Sequence, residues 1–156
     1  MATHPSEIHT EPTELGQSSI PGWFRAAALV AIVWNAFGVV MYLSSVGLFG
    51  DPNAGLSEAE RTAAAAIPAA IIGAFAIGTF AGLIGSVGLL VRKAWAQPVL
   101  LLSLGALVVL EGWIVMSGTV DVSGYALPVI VTLCAILLAW LATHARRRGW
   151  LSRGRP

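Results

Sequence analysis

Four long apolar runs, roughly Trp23–Phe49, Ile67–Val91, Trp95–Ser117 and Tyr125–Ala145, take up most of the 156 residues. Crossing the hydrocarbon of a bilayer takes about 20 mostly apolar residues in a helix. In lipid each crossing segment must satisfy its own backbone hydrogen bonds, so the runs predict helices. A soluble protein built from four buried helices would carry polar stripes, and these runs lack them. Only 11% of the residues are charged, against about 25% in an average soluble domain, and little chain is left for a soluble domain. Short connections between successive runs predict an all-α integral membrane bundle of four helices with antiparallel neighbours.

The net charge of +1 conceals a strong asymmetry. With four spans, Arg25, Arg92, Lys93, Arg146, Arg147, Arg148, Arg153 and Arg155 fall on one face and only Arg61 on the other. Positive charge in short loops marks the cytoplasmic side, so both termini are expected there. Arg92, Lys93, Arg146, Arg147 and Arg148 are the candidate contacts to anionic lipid headgroups. As a topology anchor this cluster needs no nucleic-acid partner, and none is expected.

Residues 1–21 are polar, hold Glu7, Glu11 and Glu14 with Pro5, Pro12 and Pro21, and have no apolar period. They are expected to form a disordered cytoplasmic tail, not a signal peptide. The bundle is expected over residues 22–146, followed by a basic tail over 147–156. The single Cys134 lies within the fourth span and cannot form an internal disulfide.

Within the runs a few positions stand out. Asn35 lies near the middle of the first, where an amide turns toward a neighbouring helix. Ser57 and Glu60 match a capping box, and Pro68 predicts a kink between a short surface helix and the second span. Ala70, Ala74, Gly78, Gly82 and Ser86 recur every four residues, with Gly73, Ala81 and Gly85 widening the stripe. Such small residues let helix backbones approach closely, within the bundle or in a homo-oligomer. Gly78, Gly82, Gly85 and Ser86 are therefore the candidate packing residues. Glu111 is the only ionisable residue clearly inside a span, which marks it as a functional candidate. With Asn35 and Tyr42 it forms the candidate intramembrane polar site, and Asn35 is its expected partner.

Other chemistry is poorly supplied. His4 and His9 lie in the tail and His144 near the membrane edge, so axial haem ligands are not placed inside the bundle. The Gly-rich Gly82–Gly88 stretch lies in an apolar helix without the preceding strand that a phosphate loop needs. No paired carboxylates, metal-ligand spacing or nucleophile with a base falls within the spans. No catalytic residue, metal or cofactor is expected, and the chain is not read as an enzyme.

Three blocks carry a family likeness: Trp34-Asn35-Ala36-Phe37-Gly38-Val39-Val40-Met41-Tyr42, Gly82-Leu83-Ile84-Gly85-Ser86-Val87-Gly88-Leu89-Leu90, and Arg92-Lys93-Ala94-Trp95-Ala96 running on to Ser103-Leu104. From about Trp34 to Gly105 the chain resembles a family of small, largely uncharacterised bacterial four-span proteins, often labelled sugar transporters. Members commonly hold an Asp where Met41 stands here. The resemblance implies a transporter, and the departure at Met41 leaves Glu111 as the candidate acid. From the residues themselves, the favoured expectation is a small bundle that binds or stabilises other membrane components, through the bilayer, a membrane-protein partner or a second copy. The alternative is a small-solute or proton-coupled transporter using Glu111, Asn35 and Tyr42.

Overall fold

Proline and glycine set the boundaries of the helices. In the computed structural model, which describes residues 20–118 and 126–152, five α-helices follow one another: α1 Gly22–Ser45, α2 Glu58–Ala65, α3 Ala69–Leu90, α4 Ala96–Ser117 and α5 Ala126–Arg147. Most of the expected tail 1–21, the connection holding Asp121, Tyr125 and the end of the basic tail lie outside the described residues. No strand occurs among the described residues, only an isolated bridge between Lys93 and Ser152.

The first span stops at Ser45, short of the expected Phe49. Gly47 sits at φ 84°. Its N–H donates to the Ser44 carbonyl and that of Leu48 to the Leu43 carbonyl. These are the two bonds of a Schellman cap, which needs a left-handed residue at this position. The expected kink at Pro68 is instead a full break. Pro68 adopts an extended conformation (φ −63°, ψ 141°) as N-cap of α3, and its ring disfavours helical geometry in Ile67 before it. Helix α2 is capped as expected. The Ser57 side chain accepts from the Glu60 N–H, and the Glu60 carboxylate accepts from both the hydroxyl and the N–H of Ser57. The Ser57 hydroxyl, and then its N–H, hold the Glu60 carboxyl below its ordinary range.

Helices α1, α3, α4 and α5 are each long and apolar enough to cross a membrane. Their packing is the inverse of a soluble core. Large side chains point outward: Val33 is 71% exposed, Leu137 62% and Ile84 52%. Small ones face inward, among them Ala28, Gly82, Ser86, Ala96, Ala139 and Ala142. Such a surface suits lipid, and small residues suit helix contact where no hydrophobic driving force acts. The chain is thus an all-α, multi-pass membrane protein.

The helices form a curved row, α1–α3–α4–α5, with α3 packed between α1 and α4, and α5 against α4. Their ends differ in charge. Arg25, Arg92, Lys93, Arg146, Arg147 and Arg148, all exposed, gather at one end. The other carries Asp51, Glu58, Glu60 and Arg61. At the basic end the row closes on itself. Phe24 and Ala28 of α1 share a buried cluster with Leu89, Leu100, Ala142 and Trp150.

The described part of the basic tail, residues 147–152, is not separate from the bundle, contrary to expectation. Gly149, at φ 71°, turns the chain back after α5. Trp150 and Leu151 enter the core, and Trp150 meets the Phe24 ring edge-on at 5.5 Å. Ser152 then pairs with the α3–α4 turn: its N–H donates to the Arg92 carbonyl at 2.8 Å and its carbonyl accepts from the Ala94 N–H at 3.1 Å. Ile20, before α1, also packs on this cluster. The folded unit therefore extends beyond 22–146 at both ends.

Candidate functional site

The small-residue stripe of α3 faces its neighbours within the bundle. A Cβ on Gly85 would come 2.6 Å from Leu100, and one on Gly78 2.9 Å from Leu107, both on α4. Gly82 lies between two helices: a Cβ there would overlap the Asn35 side-chain oxygen on α1 and stand 3.1 Å from Ser103 Oγ on α4. Ser86 is fully buried and its hydroxyl donates to the Gly82 carbonyl at 2.8 Å. Along Gly78–Ser86 the close-approach face is thus covered by α1 and α4.

These contacts fix the register. Along α3 and α4, Gly85 opposes Leu100, Gly82 opposes Ser103 and Gly78 opposes Leu107. Continuing that antiparallel register brings Glu111 to the level of Ala74 and Phe75. On the other side Asn35 opposes Gly82, Gly38 opposes Thr79, and Tyr42 meets the Phe75 ring edge-on at 5.5 Å.

The expected pairing of Asn35 with Glu111 does not occur. Asn35 Nδ2 donates to the Ala31 carbonyl at 2.8 Å and to Ser86 Oγ at 3.2 Å. Asn35 lies at the level of Ser103, and Glu111 is eight residues further along α4, about 12 Å toward the acidic end. Tyr42 packs against Phe75 and Phe80.

Asn35 and Glu111 nevertheless line one cavity. Away from the basic end α1 and α5 diverge, and the space between them holds about 510 Å³. Helix α4 supplies one continuous face, Leu100, Ser103, Leu107, Glu111 and Ile114. Opposite stand Trp34 and Met41 of α1, and Val131 and Ala135 of α5, while Phe75, Gly78 and Thr79 of α3 close the back. Tyr42 is not part of the lining. From Leu100 to Ile114 the lining runs about 21 Å along α4, so the cavity is long and narrow.

Its wall is overwhelmingly apolar, and most of its polar groups are engaged. Ser103 donates to the Gly78 carbonyl at 2.6 Å. Thr79 donates to the Phe75 carbonyl at 3.0 Å, and Asn35 is held as described. Glu111, half-buried six residues before the end of α4, has no hydrogen-bond or ion-pair partner among the described residues. No group of three or more His, Cys, Asp or Glu able to hold a metal ion occurs among the described residues. Thr132 Oγ1, on α5, is buried without a hydrogen-bond partner among the described residues. Met41 lines the same cavity as Glu111.

The five candidate headgroup residues, Arg92, Lys93, Arg146, Arg147 and Arg148, are all exposed at the basic end. Arg92 has a further role: its Nε donates to the Trp150 carbonyl at 3.3 Å. Sequence reading missed the cavity. The spacing Leu100, Ser103, Leu107, Glu111, Ile114 on one helical face was the signal that could have found it.

In comparisons with known proteins, no family model, no curated protein and no solved structure matches this chain.

Proposed function

We propose that this protein is a small bacterial inner-membrane protein, N-in and C-in, that binds another membrane component, an elongated apolar molecule, in the cavity between α1 and α5. The observation that carries this reading is the cavity itself: about 510 Å³ at membrane depth, lined by all four spans. That volume lies within the range of about 300–1,000 Å³ usual for small-molecule sites. The sugar-transporter reading draws less support from the site. A sugar needs many hydrogen bonds, and Ser103, Thr79 and Asn35 direct theirs to the protein.

The test uses the full chain in lipid nanodiscs with a single-chain alcohol bearing a photoreactive diazirine along its tail. Labelling is expected to concentrate on cavity positions such as Met41, Leu110 and Val131, and Val131→Trp is expected to suppress it. Equal labelling of the lipid-facing Val33, Ile84 and Leu137, unaffected by Val131→Trp, would show ordinary bilayer contact and end the reading.

A further inference from the structure

We propose that the occupant of the cavity is a cationic amphiphile, a single-chain molecule with an ammonium-type head, and that Glu111 is its counter-charge. This rests on the cavity being a binding site and assigns the chemistry of its ligand. Glu111 lies at the cavity's acidic-end portion, about 9 Å below the end of α4. It faces the cavity and has no basic partner among the described residues. A carboxylate at membrane depth is stabilised by a cation brought alongside it, and no Lys, Arg or His among the described residues lines this cavity.

The surroundings select the kind of cation. An inorganic ion such as Ca²⁺ needs about six to eight oxygen ligands. Here there is one carboxylate; the next side-chain oxygen of the lining, on Thr79, lies about 8 Å down the cavity and is bonded to its own helix, and those of Asn35 and Ser103 lie about 12 Å down. An organic ammonium needs only one counter-charge and an apolar wall. The Phe75 ring lines the cavity at the level of Glu111, and aromatic faces attract ammonium groups. Below that level the lining is Leu107, Leu100, Leu138 and Ala135, with Asn35 and Ser103 turned to the protein. This suits a hydrocarbon tail that descends toward the basic end. Outside the spans, Asp51, Glu58 and Glu60 against a single Arg61 leave the acidic end net negative, which raises the local concentration of cations.

The experiment compares three probes of equal chain length: dodecyltrimethylammonium, dodecanol and dodecanoate. Each is titrated into the full-length protein in nanodiscs of zwitterionic lipid, with empty nanodiscs as the reference. Wild type is expected to bind the ammonium at least about tenfold more tightly than the alcohol, the scale of one charge pair at a partly desolvated site, and to bind the carboxylate most weakly. Glu111→Gln keeps the side chain's size and is expected to abolish that preference, bringing the affinity for the ammonium down to that for dodecanol. Unaltered helicity and elution volume establish that the variant is folded. If dodecanol binds as well as the ammonium, or if the ammonium preference survives in Glu111→Gln, the assignment is wrong although the cavity reading stands. If none of the three binds above the empty-nanodisc reference, both fall.

Discussion

At the scale of single residues, the most constrained position is Gly82. It is held between an amide on one helix and a hydroxyl on another, and the Asn35–Ser86 hydrogen bond crosses beside it. A larger side chain has nowhere to go without separating α3 from α1 or α4. Gly82→Leu is expected to lower the stability of the bundle in detergent by about 1–3 kcal/mol through overpacking. The matched control is Ile84→Leu, at a position 52% exposed, which is expected to be silent. Leu83, beside Gly82 in the chain, is half-buried and would be a poor control. Reversible unfolding in mixed micelles measures both, and equal stability of Gly82→Leu and wild type would remove the stripe as the basis of α3 packing. The same residue shows how far a sequence can be read. Spacing by four announced close approach at Gly78 and Gly82, but it could not say which helix approaches, since small residues admit a second copy as readily as a neighbour.

Among the elements, the helices were legible and the clasp at the basic end was not. Apolar length, the Ser57 capping box and Pro68 are local signals, and each produced its structure within a few residues. The segment after α5 has no such signature: Trp150 and Leu151 are two apolar residues behind three arginines. Their partner, the α3–α4 turn, is nearly sixty residues earlier. The cavity was hidden for a related reason. Its lining is apolar within helices that are apolar all round, so periodicity cannot separate residues facing lipid from those facing a void. The clasp also accounts for Arg92, a non-glycine residue at φ 61°, a conformation that costs roughly 1–2 kcal/mol. Its Nε holds the Trp150 carbonyl, and its own carbonyl accepts from the N–H and the hydroxyl of Ser152. The clasp thus fixes the turn in which the strained residue sits. Trp150→Ala is expected to cost about 3 kcal/mol and to let α1 and α5 part at this end. With Cys134 replaced by Ala, spin labels at Arg25 and Arg147 would report a longer and broader distance distribution in the variant. An unchanged distribution and stability would mean that the α1, α3 and α5 contacts close the basic end without the clasp.

For the whole molecule, the clasp and the cavity give the row of helices a polarity: closed at the basic end, divergent toward the acidic one. Where that polarity lies in the membrane follows from charge. Among the described residues, six cations and no acid occupy the closed end, while Asp51, Glu58 and Glu60 outnumber Arg61 at the other. Positive charge close to span ends is retained on the cytoplasmic side, so in the proposed N-in, C-in arrangement the closed end faces inward and Glu111 lies toward the outer leaflet. Reporters fused at Asn53, Lys93 and Pro156 test this. Asn53 is expected to report the external side, and Lys93 and Pro156 the cytoplasm. Changing Arg92, Lys93, Arg146, Arg147 and Arg148 together to Gln removes most of the bias and is expected to yield molecules of both orientations, seen as mixed signal at Asn53. An external signal at Lys93 or Pro156 in the wild-type chain would reverse the assignment. It would also turn the Glu111 end of the cavity toward the cytoplasmic leaflet, so the side from which an ammonium amphiphile enters is decided by the same measurement.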